Sequence, residues 1–343
     1  MLRYYTGSFL FTVLCLSVGA WVGYEQGGTW AAVAQVVWIC SILAVLEVSL
    51  SFDNAVVNAS VLKDMDPVWR QRFLTWGMLF AVFGMRLFFP LLIVAIAASL
   101  GPIEAFKLAM NEPERYQTII EGANAGIMGF GGAFLLLVGL KFFFDADKEH
   151  DWIGVIERPL RRFADLEAFE IILTLMVLYG ISQAMSDPVA AQTYLAAGVF
   201  GIATFFAVEW LGHALESPAA ADGVQRSGLG GFLYLNVLDS SFSFDGVIGA
   251  FALSNNLFVI AIGLAIGAMF VRSMTIHLVD KGTLAQFRYL EHGAFWAIIV
   301  LAAIMLTSVV YHIPETITGL IGAVLIGLSL WSSLKLRRAD AAA

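Results

Sequence analysis

Long apolar segments separated by short polar ones dominate this chain, and they decide its fold class. A helix needs about 20 apolar residues to cross a bilayer, and these segments are close to that length or longer. The pattern predicts an all-α, polytopic helical membrane protein in which residues 1–343 form a single transmembrane domain of about ten transmembrane helices. The predicted spans are residues 7–24, 31–62, 73–100, 122–144, 168–185, 191–213, 230–253, 257–279, 291–311 and 314–334.

Composition and charge agree with a membrane protein. Hydrophobic residues make up 59% of the chain and charged residues 13%, whereas soluble domains carry about 25% charge. The net charge is −8 and the basic residues form no stripe, so we expect the lipid bilayer rather than nucleic acid as partner. Cys15 and Cys40 both lie in apolar segments and predict neither a disulfide nor a zinc site.

The distribution of basic residues predicts the orientation. With the N-terminus in the cytoplasm, 15 of the 19 Lys and Arg residues fall in inside segments, and only Lys107 and Arg115 in outside loops. The positive-inside rule then places both termini and a loop at 145–167 in the cytoplasm, most simply at a cell (inner) membrane. The first span, after Arg3, resembles a signal peptide, but its apolar run is longer, so we expect an uncleaved helix.

One polar motif occurs twice, each time inside a predicted span. Residues 47–53 have the pattern acid-x-Ser-apolar-Ser-Phe-Asp, and residues 239–245 repeat it. The predicted orientation makes the two spans antiparallel. In the span after each motif, a glycine is followed nine residues later by an arginine. These matches predict a core of three plus three spans related as an inverted repeat, typical of transporters. The first repeat covers 31–144 and the second, inverted repeat 230–311.

The motif residues predict an acidic site near the middle of the membrane. A carboxylate at membrane depth costs at least ~2.5 kcal/mol and is usually functional. Glu47 and Asp53 are six residues apart, which places them about 120° apart on an ideal helix, so they converge only if the helix unwinds between them. Backbone carbonyls and Asn54 would then add oxygen ligands, and such a site suits Mg²⁺, Ca²⁺ or Mn²⁺. The candidate metal ligands are Asp53, Asp245, Glu47, Asp239 and Asn54.

Two arginines at matching positions, Arg86 and Arg272, are candidate counter-charges. The four acids carry −4 if ionised and the arginines carry +2, which leaves −2 for one divalent cation to neutralise. Arginines could also stabilise the empty site, because unpaired buried charge is costly. Protonation of one or two of the acids would change this count, and it would instead fit proton-coupled transport.

The polar residues outside the repeated motif are weaker evidence for a functional site. Glu209 and His213 have a spacing that can bind metal, but the spacing is also common at helix ends, and we interpret the pair as structural. Asn58 shares a helix face with Asn54, and we interpret it as structural too. The chain has no phosphate loop, nucleophile triad or thiol cluster. We therefore expect that the protein is not an enzyme and that it holds no resident cofactor. The alternative is an intramembrane aspartyl protease, in which paired acids could be catalytic.

The two motifs carry a resemblance to a known family. Ser-x-Asp-Asn-Ala at 51–55 and Ser-x-Asp-Gly-Val at 243–247, each followed by a Gly-rich span, resemble the TerC family of integral membrane proteins, in particular its longer subgroup, labelled as a domain of unknown function. The resemblance covers about residues 30–335. It implies a fold of the LysE-type exporter group and efflux of Mn²⁺, with Asp53, Asn54 and Asp245 at motif positions. The family takes its name from tellurite resistance.

We therefore expect a transporter that exports a divalent metal, most simply Mn²⁺, in exchange for protons or alone. The alternative is a membrane scaffold in a metal or tellurite stress-response complex that binds without transporting. A scaffold should tolerate loss of the acids if packing survives, whereas a transporter should not. The oligomeric state does not follow from the sequence.

Overall fold

The computed structural model is helical, with no strand in the ranges that it describes. These are residues 2–63, 65–77, 80–145, 148, 150–161, 166, 168–215, 228–251, 253–311, 313 and 315–340. The helices are α1 Leu2–Gly27, α2 Trp30–Leu50, α3 Phe52–Leu62, α4 Pro67–Arg72, α5 Phe89–Ala97, α6 Pro102–Asn111, α7 Pro113–Phe143, α8 Gly154–Arg161, α9 Phe169–Ala184, α10 Pro188–Leu215, α11 Leu229–Phe251, α12 Leu257–Asp280, α13 Thr283–Gln286, α14 Leu290–Ser308 and α15 Glu315–Asp340, with π-helical segments at Phe73–Gly77 and Phe80–Phe88.

Within the described ranges, seven helices are long and apolar enough to span a membrane, so the chain has the architecture of a multi-pass helical membrane protein. An eighth span would combine Arg86–Ala97 with Pro102–Asn111, a pair bent by 104°. The predicted count of ten is not reached on these criteria. The apolar helix α9 has only 16 residues, and the polar residues of the second motif lower the hydropathy of α11.

The predicted span 31–62 is helical but broken at Ser51. Helix α2 ends at Leu50 and α3 begins at Phe52, while Ser51 has φ −104° and ψ 18°. The break falls between Glu47 and Asp53, where the motif spacing requires it. Helix α11, which carries the second motif, is continuous. One motif helix is therefore interrupted and the other is not.

Helix α7 is the central helix of the larger core and packs on α10, α11 and α14. Glycines allow the closest approach. A Cβ added at Gly129 would lie 2.4 Å from the carbonyl oxygen of Tyr194, and one at Gly201 would lie 2.4 Å from that of Phe130. Small residues at helix crossings are typical of membrane bundles. In lipid there is no hydrophobic driving force between helices, so they associate through close van der Waals packing of their backbones.

The two motif helices meet inside this bundle. Helices α2 and α3 pack along α12, and α3 also contacts α14. Helix α11 packs on α7 and on the π-helical segment Phe80–Phe88, and it contacts both α2 and α3. This arrangement brings the acid-bearing segments of the two motifs face to face.

The predicted loop at 145–167 is partly structured around a buried carboxylate. Glu157 of α8 is fully buried and is surrounded by hydrogen-bond donors. Burial alone raises the pKa of Glu157, but these donors outweigh it and hold the pKa well below its usual range. The segment is therefore fastened to the start of α14. The donors are His292 Nδ1 at 2.9 Å, Lys148 Nζ at 2.8 Å, Trp296 Nε1 at 3.0 Å, and the backbone N–H groups of Ile153 at 3.0 Å and Trp152 at 3.2 Å.

Candidate functional site

Glu47 is held in the last turn of α2 by two donors. Its side chain is 2% exposed. Ser51, at the helix break, donates a hydrogen bond of 2.8 Å from Oγ to Glu47 Oε1, and Arg86 forms a buried ion pair with the same oxygen. Gly267 of α12 leaves room for this acid, because an added Cβ would lie 2.4 Å from Cβ of Glu47. Glu47 is therefore a paired, tightly enclosed carboxylate.

Asp239 lies at the middle of α11 and is bound by an amide group of α3. Asn58 Nδ2 donates a hydrogen bond of 2.7 Å to Asp239 Oδ1, and the Asn54 side chain lies near the same acid. Arg86 and Glu47 lie close enough to act on Asp239 electrostatically. The acid of the second motif is thus joined to the helix of the first.

Asp53 is buried in the first turn of α3, directly after the break. The backbone N–H of Asn54 donates to Asp53 Oδ1 at 2.9 Å, and the helix N-terminus favours negative charge there. Gly322 of α15 faces the other oxygen, with an added Cβ 3.6 Å from Oδ2. Asn54 therefore binds Asp53 through its backbone, while its side chain lies near Asp239.

A cavity of about 20 Å³ lies between the first motif and α11. One water needs about 10–15 Å³, so the cavity has room for one water or one bare cation. Two carboxylates and a hydroxyl are among the groups that line it. Its lining residues are Glu47, Ser51, Asp53, Leu50, Phe242, Gly246, Ala297 and Leu301. A larger cavity of about 600 Å³ beside α5 and α7 is lined without any charged residue and does not suit a cation.

Two amide oxygens beside the acids have no hydrogen-bond partner in the part of the chain that the structure describes. They are Oδ1 of Asn54 and Oδ1 of Asn58, and both are buried. Leaving such an acceptor buried and unsatisfied costs about 1–3 kcal/mol, and native structures contain few of them. Asn58 uses its NH₂ group on Asp239, and both amides leave their oxygens available. These oxygens are suitable ligands for a hard cation.

The structure gathers most of the predicted site residues into one buried group: Glu47, Asp53, Asn54, Asp239 and Arg86. Asp245 continues α11, but its side chain lies outside the described residues. Among the side chains that are described, no three of the His, Cys, Asp and Glu residues lie close enough together to hold a metal ion. A cation here would therefore rely on amide or backbone oxygens, on Asp245, or on movement of the acids.

Arg86 and Arg272 occupy matching positions after the two motifs, but they bind different groups. Arg86 pairs with Glu47. Arg272 donates from Nε to the carbonyl oxygen of Leu74 at 2.9 Å, a bond to the backbone instead of to an acid. Their helices differ too, because Arg86 lies in a π-helical segment and Arg272 in the regular helix α12.

The pair Glu209 and His213 is only partly described. Glu209 forms an ion pair with Lys141 of α7, which agrees with the structural interpretation. The side chain of His213 lies outside the described residues.

Sequence reasoning missed the contact that Asn58 makes with Asp239. The residue was interpreted as structural because the second motif has alanine at the matching position, Ala250. The available indication was its spacing of four from Asn54, which places both amides on one buried helix face. Gly267, which makes room for Glu47, was not singled out either.

Comparison with known proteins gives a family without a function. No curated protein and no solved structure matches the chain. A family model described as "Protein of unknown function (DUF475)" matches residues 52–340, which include α3 with its acid and amides and the whole second motif. Because that match covers most of the chain, this protein belongs to the DUF475 family.

Proposed function

We propose that this protein is a membrane transporter that exports a divalent cation, with Mn²⁺ as its substrate, through the buried acidic site. The observation that carries the proposal is the set of three enclosed carboxylates, Glu47, Asp53 and Asp239, where the two motif helices meet, with Arg86 paired to Glu47. Charged groups at such depth are costly unless they are paired or functional.

The charges of this group favour a divalent ion. Glu47, Asp53 and Asp239 carry −3 if ionised and Arg86 carries +1, which leaves −2. One divalent cation would neutralise that remainder. An uncompensated buried charge destabilises a protein by several kcal/mol. A cation bound at the site would remove this cost in folding free energy.

The ligand atoms favour a hard cation. The described polar groups of the site offer carboxylate, hydroxyl and amide oxygens, with no thiolate or imidazole among them. Such oxygen sets suit Mg²⁺, Ca²⁺ and Mn²⁺ rather than copper or zinc. The choice of Mn²⁺, and of export from the cytoplasm, comes from the resemblance of the motifs to the TerC family of the LysE-type exporter group.

An inverted repeat would explain how one site could open to either side. The contacts are reciprocal, because α3 packs on α12 and α14 while α11 packs on Phe80–Phe88 and α7, the corresponding segments of the other repeat. This reciprocal packing supports an arrangement of two antiparallel halves that surround the site and move against each other. The proposal keeps both termini in the cytoplasm and the protein in the inner membrane.

The second candidate is a membrane scaffold without transport. The ion pair between Glu47 and Arg86 supports it, because a paired acid can serve packing alone. The two candidates differ in what the acids do, since a scaffold needs only the shape of the site.

The deciding experiment measures manganese retained by cells that lack other exporters after a Mn²⁺ load. Asp53→Asn and Asp239→Asn keep the shape of each side chain but remove one charge, and Asp245→Asn tests the remaining motif acid. We expect each variant to retain manganese like cells without the protein, at matched protein levels. Glu209→Gln, a membrane-helix acid outside the site, is the control. Normal export by the aspartate variants would reject the transporter and favour the scaffold.

A further inference from the structure

We infer that Asn58 is a cation ligand, and that its amide group turns between donating to Asp239 and coordinating the ion. The inference rests on the proposed function. The inference adds Asn58, a residue outside the repeated motif, to the site. It also assigns a specific movement, a rotation, to the Asn58 amide.

The geometry around Asn58 is the first support. The side chain is fully buried, and its Nδ2 lies 2.7 Å from Asp239 Oδ1. The two residues are 181 positions apart in the chain, so the contact is a product of the fold. An amide carries its donor and its acceptor on the same carbon, so Oδ1 also lies near the acid. None of the described residues donates a hydrogen bond to that oxygen.

Asn54 lies one turn earlier on the same buried helix face. Its side chain lies near Asp239, and its Oδ1 is buried without a hydrogen-bond partner among the described residues. Two unsatisfied acceptors on one helix face, next to one carboxylate, are unusual in a native protein. Packing alone does not account for them, because an apolar side chain of similar size would fill the same space without burying an acceptor. A cation would satisfy both oxygens and the carboxylate together.

Rotation of the Asn58 amide provides a mechanism. Without an ion, the NH₂ group of Asn58 faces Asp239 and offsets part of its negative charge. A cation bound to Asp239 would repel that NH₂ group. A half-turn about the Cβ–Cγ bond exchanges the nitrogen and the oxygen, so Asn58 would then present Oδ1 to the ion. Hard divalent cations accept amide oxygens as ligands.

The test uses the purified full-length protein with Mn²⁺ as the probe. Asn58→Leu removes both ends of the amide, whereas Asn58→Asp keeps an oxygen and removes the NH₂ group. We expect Asn58→Leu to weaken Mn²⁺ binding about tenfold or more, and Asn58→Asp to bind at least as tightly as wild type. The control is Asn236→Leu, because Asn236 uses its amide within α11, on the carbonyl oxygen of Phe232.

Thermal unfolding separates a ligand from a residue that only positions Asp239. Asn58→Asp places a second carboxylate against Asp239, so the variant should melt below wild type without metal. If residue 58 binds the ion, Mn²⁺ should raise its Tm by more than it raises that of wild type, since binding to the folded state stabilises it. If Asn58 only positions Asp239, Asn58→Asp should stay destabilised at saturating Mn²⁺.

The outcomes distinguish this inference from the proposed function. If Asp239→Asn loses Mn²⁺ binding while Asn58→Leu binds like wild type, the inference is wrong and the proposed function stands. If wild type does not bind Mn²⁺, or Asp239→Asn binds it normally, the proposed function fails and the inference fails with it. If Asn58→Leu does not accumulate, Asn58→Asp alone decides the question. A Tm of Asn58→Asp that Mn²⁺ does not raise would overturn the inference.

Discussion

Glu47 lies against Gly267, so closely that a Cβ added to the glycine would be 2.4 Å from Cβ of Glu47. The same added atom would lie 2.8 Å from the carbonyl oxygen of Ala44, part of the α2 backbone. Neither contact can be relieved by rotating a flexible side chain. The position of the acid in α2 therefore depends on Gly267 of α12, which has no side chain.

We predict that Gly267→Ala separates α2 from α12 and displaces Glu47. Overpacking of this kind typically costs about 1–3 kcal/mol, which should lower the Tm and impair export of Mn²⁺. Gly327→Ala is the matched control, because Gly327 lies in α15 with nothing within 4 Å of an added Cβ. Alanine is the better helix former, so the control should be neutral or slightly stabilised. Equal Tm values for the two variants would show that α2 and α12 are not packed in this way.

The ion pair of Glu47 and Arg86 should be strongly coupled. Removing one partner of a buried pair costs about 3–5 kcal/mol, because the other charge is left unpaired. We expect Glu47→Gln and Arg86→Met each to lower the Tm markedly, and the double variant to be more stable than the sum of the two effects predicts. The measurement is a double-mutant cycle by thermal unfolding in detergent. Additive effects would mean that the two side chains do not pair.

Glu157 should make the segment around α8 sensitive to acid. Its pKa is depressed in the folded protein, so its contribution to stability is complete above the unfolded pKa of about 4.3 and declines as the pH falls below that value. Glu157→Gln should therefore lower the Tm at neutral pH and weaken the dependence of the Tm on pH below about 4.3. Cleavage of the segment near α8 by added protease should become faster.

The matched control for Glu157 is Glu112→Gln. Glu112 forms an exposed ion pair with Arg115 at 3.2 Å, and exposed pairs contribute about 0–1 kcal/mol. If Glu157→Gln melts like this control at every pH, the five donors around Glu157 do not hold the segment in place.

The orientation can be tested independently of transport. A reporter fused after Ala343 should be active only in a cytoplasmic assay, because the basic residues predict that the C-terminus is inside. Activity on the opposite side would reverse the orientation of every span. The proposed direction of transport would then have to be derived again.

The sequence by itself determined the helical membrane class, the acid-bearing motifs and the break in the first motif helix. These are local properties. Apolar length predicts a span, and the spacing of Glu47 and Asp53 places them on different faces of an unbroken helix. The structure confirms the class and shows the break at Ser51. The count of about ten spans was less secure, because α9 is short and α11 carries the polar second motif.

Only the tertiary structure decided which groups the acids contact. The repeat gives Arg86 and Arg272 the same position, yet one pairs with Glu47 and the other binds the backbone at Leu74. The physical reason is that the partner of each arginine depends on the helices packed around it, and Arg86 and Arg272 lie in segments with different neighbours. The contact between Asn58 and Asp239 likewise joins residues 181 positions apart, and no local pattern carries information over that separation.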